Sequence, residues 1–263
     1  MDRKRNGFTL VEMLVVVVII GILAGMIGGA AIMVRNRARV AALAAEIGKI
    51  EMSLNDYKEA VGEYPPDGSD IAAVKAHLTK LAPRAVNLSL PAAIDPSTAL
   101  CFWLGGMHDG TDFIGFSPDP RNPFEVVTRT GRIGPFYEFD KRRLDKVSNY
   151  LFRYRPNNNN VYSHPIVYFR ARLYNQYAGQ WAGTSSPENY SYTVRPFLDT
   201  TTAGGFVNPK TFQILTPGLD GKYMNASQPA PGTRYPDGAD YTPAQYDDIT
   251  SFSGGRTLEQ NIP

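Results

Sequence analysis

At positions 8–34 every residue is apolar or small except Thr9 and Glu12, and Glu12 is the only charge in the run. At about 1.5 Å of rise per residue, such a helix is slightly longer than the roughly 30 Å hydrocarbon core of a bilayer. One membrane crossing is therefore expected. An ionised side chain at mid-bilayer costs roughly 2.5–3.5 kcal/mol on insertion scales. Glu12 must be neutralised or put to use, unless it sits at the headgroups in the first helical turn, where the helix dipole favours a carboxylate. A secretory signal is apolar over only about 7–15 residues and fits less well, although the small residues at 28–31 leave cleavage near Ala30 open. Gly21, Gly25 and Gly29 are spaced to let helices approach closely in lipid, or else mark a flexible patch.

Charge does not orient the span, because Arg3, Lys4 and Arg5 precede it and Arg35, Arg37 and Arg39 follow it. Periodicity says more. Val40, Leu43, Ile47, Ile50, Leu54, Tyr57 and Val61 recur at steps of three and four, which is one face of a helix. The helix is expected to run on from the span as an amphipathic rod and to stop near Gly62, ahead of Tyr64-Pro65-Pro66, where proline disfavours continuation.

The leader ending in Gly7, followed by Phe8-Thr9-Leu10-Val11-Glu12-Met13-Leu14, resembles the type III signal of type IV pilins and type II secretion pseudopilins. The resemblance covers about the first thirty-five residues. It implies that a prepilin peptidase cuts between Gly7 and Phe8 on the cytoplasmic side and methylates the Phe8 amine, and that Glu12 is the assembly glutamate. It also implies an N-in orientation. Cleavage leaves a positive amine four residues from Glu12, and each charge is costly in lipid when unpaired. Pairing the Phe8 amine of one subunit with Glu12 of its neighbour neutralises both and sets an axial register.

The chain carries 27 basic and 25 acidic residues, a formal charge of +2. Removing the leader, with three basic residues and one acidic, leaves a formally neutral chain, so no nucleic-acid partner is predicted. Lys141-Arg142-Arg143 is the best basic patch, but Asp140 and Asp145 flank it and a solvated loop is the expectation. Cys101 is the lone cysteine, in the apolar run Leu100-Cys101-Phe102-Trp103-Leu104, and reads as a buried thiol; no intrachain disulfide can form.

From Pro65 onward about two hundred residues remain, enough for one domain with a real core. Ile71, Val74, Leu78 and Leu81 predict a short amphipathic helix. Residues 165–174 alternate, with Val167, Phe169, Ala171 and Leu173 on one face and Tyr168, Arg170, Arg172 and Tyr174 on the other, and predict the longest strand. Further strands are expected at 151–155 and 211–215, between turn-rich stretches. The fold class is α+β: a long N-terminal helix, half transmembrane and half amphipathic, packed on an antiparallel β-sheet head, as the resemblance also implies. The expected divisions are a cleaved leader (1–7), an assembly helix (8–34), an amphipathic extension (35–62) and the head (63–263). Tyr174, Tyr177, Trp181, Tyr190 and Tyr192 lie among Gly, Ser, Asn and Gln, and read as anchors of a long loop or as a contact surface.

Pro217-Gly218-Leu219-Asp220-Gly221-Lys222 and the later Tyr246-Asp247-Asp248-Ile249 resemble the calcium loop of the major pseudopilin of type II secretion. The resemblance implies Ca²⁺ ligands at Asp220, Asp247 and Asp248, and hard carboxylate oxygens suit that ion. Here a long insertion separates the two parts and the acidic pair is adjacent, so a plain Asp-rich turn stays open, as does a contribution from Asp237, Asp240, Thr250 or Ser251. No zinc-protease motif, nucleophile elbow or phosphate loop is present, and His108-Asp109 reads as a turn.

The resemblance therefore implies a non-enzymatic structural subunit. It would be inserted in the bacterial inner membrane with a periplasmic head, and polymerise with itself and other pilin-like subunits on an inner-membrane assembly platform into a periplasmic pseudopilus. An extracellular type IV pilus for adhesion, motility or DNA uptake is the alternative, and a membrane-anchored periplasmic enzyme a further one.

Overall fold

The computed structural model describes all residues except 1–8, 87, 89, 91–92, 158–159, 161, 173–175, 178, 185–190, 202–203, 225–227 and 229, with the side chains at 27–29 also outside it. The chain divides into two compact units, residues 1–39 and 40–263. The layout is α+β, a long N-terminal helix followed by small, largely antiparallel sheets.

Helix α1 spans Leu10–Val61. In the first unit its described side chains from Leu10 to Val34 are all exposed, and the helix is long and apolar enough to cross a membrane by length and composition. Gly21 and Gly25 face open space, with nothing within 4 Å of where a Cβ would stand. Gly29 falls outside the described side chains.

In the second unit Leu43, Ile47, Ile50, Leu54 and Tyr57 are buried in the main core, and Val40 and Val61 pack against its margin. The seam predicted from periodicity is the seam observed. Gly62 ends the helix with φ of 95°, a left-handed conformation that glycine adopts without a Cβ penalty. Helix α2, Ile71–Leu81, matches its predicted bounds; the Asp70 carboxylate accepts from the Ala72 and Ala73 N–H groups, capping it. The connector between the helices is pinned from the core. Trp103 Nε1 donates to the Pro66 carbonyl and Tyr168 Oη to that of Pro65, each at 2.8 Å.

The strands, in chain order, are β1 (Leu144–Lys146), β2 (Phe152–Tyr154), β3 (Val167–Arg170), β4 (Trp181–Thr184), β5 (Ser191–Val194), β6 (Leu198–Asp199), β7 (Gly205–Phe206), β8 (Phe212–Thr216), β9 (Arg234–Tyr235) and β10 (Ile249–Thr250). They form four small sheets, β1-β2, β10-β8-β3, β4-β5 and β7-β6-β9, with β6 and β9 parallel and every other pair antiparallel. The antiparallel pairing expected of the head is present, distributed over several small sheets. With 24 Gly and 20 Pro in the sequence, turns interrupt each run before a broad sheet can form.

The strand expected at 165–174 is likewise shorter, and its second face is not solvated. Val167 and Phe169 enter a second core with Trp181, Tyr192, Val194, Phe197 and Leu215, whereas Ile166 and Tyr168 face the α1 core. Strand β3 thus lies between two cores, which is why Tyr168, on the face that also carries Arg170, is fully buried. Arg170 ends the strand with its guanidinium on Glu63 at 3.1 Å.

Candidate functional site

The residues expected to matter at the N-terminus are Gly7, Phe8 and Glu12. Gly7 and Phe8 lie outside the described residues, so the geometry begins at Thr9. Glu12 Oε2 accepts from the Thr9 N–H at 2.8 Å and from Thr9 Oγ1 at 2.7 Å, and the Glu12 N–H donates to Thr9 Oγ1 at 3.2 Å. This is a capping box, in which N-cap and third helical residue satisfy each other's free groups. Its signal, Thr-x-x-Glu ahead of an apolar run, was legible in the sequence and went unused. The carboxylate is held at the start of an exposed apolar helix.

The second candidate site gathers residues distant in sequence. The Asp247 carboxylate, through Oδ2, accepts from the Leu219 N–H at 2.6 Å and the Asp220 N–H at 2.9 Å, and Asp248 Oδ1 accepts from Gly218 at 3.0 Å. Gly218 is required by close approach, since a Cβ there would stand 2.0 Å from the Asp247 carbonyl oxygen. The structure therefore brings Asp220, Asp247 and Asp248 to one loop junction. Burial raises all three carboxyls, Asp220 to about 6 with the neighbouring Asp247 adding to the shift. Asp247 Oδ1 is buried with no hydrogen-bond partner. Against a metal, no group of three or more His, Cys, Asp or Glu among the described residues is placed to hold one. Asp237 and Asp240 are engaged by Arg234, and Ser251 Oγ accepts from the Ile214 N–H, so these stand apart from the junction.

The basic patch needs correction. Lys141 and Arg142 are exposed, but Arg143 is largely buried and forms a forked pair with Glu46 of α1, Nη1 to Oε2 at 2.9 Å and Nη2 to Oε1 at 2.5 Å. Tyr154 Oη donates to the same carboxylate at 3.0 Å, and Asn157 N–H at 3.3 Å. This cluster fastens the 3₁₀ turn at Lys141–Arg143 to the α1 seam. A second buried network joins Tyr57 Oη to His77 Nε2 and His77 Nδ1 to Glu63, both at 2.7 Å. Burial drives His77 down to about 4, and hydrogen bonds from His77, Lys80 and Arg170 outweigh burial to bring Glu63 to about 2. Tyr57 and His77 are fully buried and only the Glu63 end of this Tyr–His–Glu chain meets solvent, so it serves as a core brace.

Among the aromatic residues of 174–192, Trp181 and Tyr192 are buried in the second core and Tyr177 donates to the Asn208 carbonyl at 2.7 Å, so these three anchor the segment. Tyr174 and Tyr190 lie outside the described residues. Cys101 is buried in a π-helical turn, Cys101–Gly105, as expected. The Asp109 carboxylate accepts from the Thr111 and Asp112 N–H groups, the turn read from His108-Asp109.

A family model described as the prokaryotic N-terminal methylation motif matches residues 2–28. The chain carries that motif, the mark of type IV pilin-like proteins whose N-terminus is processed. No curated protein and no solved structure matches the chain.

Proposed function

We propose that the chain is a structural, pilin-like subunit of a type II secretion pseudopilus, cut between Gly7 and Phe8 by a prepilin peptidase, N-methylated on Phe8 and polymerised from the inner membrane. The observation that carries this reading is the methylation motif over residues 2–28, leading into an apolar helix whose described side chains from Leu10 to Val34 are exposed. A permanent anchor has no need of Glu12. A subunit that must leave lipid does, because the Phe8 amine of an incoming copy supplies the charge that Glu12 lacks. Mass spectrometry of the mature N-terminus, with and without prepilin peptidase, tests it. N-methylphenylalanine at position 8 is expected; an intact Met1 terminus or a cut near Ala30 overturns it. Export of fibres to the cell surface, with secretion unaffected by deletion, would instead favour a type IV pilus.

The acidic junction supports a narrower proposal, that Asp220, Asp247 and Asp248 take up Ca²⁺. Three crowded carboxyls and an unpartnered buried oxygen on Asp247 are the supporting features. Thermal unfolding with calcium and with chelator should then differ; identical transitions overturn the proposal.

A further inference from the structure

Beyond the apolar run, the charges on α1 are segregated: Arg35, Arg37 and Arg39 come first, and Glu46, Glu51, Asp56 and Glu59 follow with Lys49 and Lys58. Most of the second group is accounted for. Glu46 holds Arg143, Glu51 is half-buried, and Lys58 lies over the Tyr64 ring at 4.6 Å. Asp56 and Glu59 are exposed, and among the described residues neither they nor the three arginines have an ion pair. The helix does not explain the two acids either. They sit in its last two turns, towards the negative end of the dipole, which disfavours a carboxylate.

Asp56 and Glu59 belong to an exposed face that also carries Ala41, Ala45 and Met52, with Met52 67 % exposed and nothing within 4 Å of a Cβ built on Gly48. We infer that this face is an intermolecular seam, in which Arg37 of one copy, the arginine at helical spacing with Ala41 and Ala45, meets Asp56 and Glu59 of a second, parallel copy. This rests on the fibre reading above and specifies its register. An offset of about twenty helical residues, about 30 Å, brings the two charge groups level. The same offset sets Gly21, Gly25 and Ile32 of one copy level with Ala41, Ala45 and Met52 of the other, and the glycines and alanines are small residues that allow close approach. An offset of about twelve residues would set Arg37 against Lys49, a like-charge contact that disfavours that register.

The test uses the full chain, matured by prepilin peptidase and assembled in cells. Reversing Arg37 (Arg37→Glu) or the acids (Asp56→Lys, Glu59→Lys) should each lower fibre yield about tenfold or more, and combining both sets should restore it to within about threefold. In an otherwise unaltered chain, Arg37→Cys with Asp56→Cys should give disulfide-linked copies, whereas Arg37→Cys with Lys49→Cys should not. Fibres that ignore the reversals, a combined variant no better than either parent, or cross-linking only through position 49 would overturn the seam and leave the fibre reading standing. Correct maturation of the wild type without any fibre would overturn both.

Discussion

Along α1, Leu10, Val17 and Met33 stand open at 82, 66 and 57 % exposure, whereas Leu43, Ile50 and Leu54 are at 1 % or less. The residue types are alike; their partners differ. Burying one such side chain is worth about 1.5–3 kcal/mol, so the second stretch is held by the head, whereas the first is left uncovered by the described residues. Lipid can cover it before assembly, and other copies afterwards. The polar groups follow the same division: Glu46, in the buried stretch, has its partner in Arg143, while among the described residues Glu12 is hydrogen-bonded by Thr9 alone.

The hardest test of this contrast removes one carboxylate from each stretch. Glu12→Ala should abolish fibres, since leaving an amine unpaired in an apolar site costs about 3–5 kcal/mol per contact, and contacts repeat along the fibre. Thermal unfolding of the head should not move. Equal fibre yield from this variant would erase the difference between the stretches. Glu46→Ala should do the reverse, destabilising the head by about 3–5 kcal/mol in denaturant titration because it strands a largely buried Arg143, while N-terminal maturation is unchanged.

A smaller effect separates the head's own braces by pH. His77 titrates near 4 in the folded state and near 6.5 unfolded, so the unfolded chain binds the proton first as pH falls. The stability contributed by neutral His77 is complete above about 6.5 and is lost towards pH 4, on the order of 3 kcal/mol for so buried a ring. Denaturant midpoints from pH 7 to 4 should show this slope, and His77→Gln should flatten it.

What could be read in advance follows the same division. The seam from Val40 to Val61 and helix α2 were legible because a 3.6-residue period repeats over several turns and needs no knowledge of the partner. The strands read at 151–155, 165–174 and 211–215 appear as β2, β3 and β8, but their grouping into sheets was not legible, because β3 is buried on both faces and its alternation carries no sign of which side meets solvent. Glu46 sits among seam residues and Arg143 lies 97 positions away in a patch flanked by acids, so neither announces the other. The Thr9–Glu12 box was local enough to see, yet the reading of Glu12 as an intermolecular partner displaced it.

The acidic junction tests the contrast at its smallest scale, because there the head itself holds charges its own chain leaves crowded. Asp220 titrates near 6 when folded and near 3.8 when unfolded, so the folded state is the better proton acceptor. Its contribution is present below about 3.8 and is lost as pH rises through about 6, opposite in sign to that of His77. Asp220→Asn should therefore raise stability modestly at pH 7 and leave it unchanged at pH 3.5, by denaturant midpoint. Saturating Ca²⁺ should mimic the substitution at pH 7 in the wild type and add little to the variant, since a bound cation and a neutral amide relieve the same crowding of Asp247. If calcium stabilises neither form, the junction is an amide-held turn, and α1 remains the part of the chain that depends on a partner from outside.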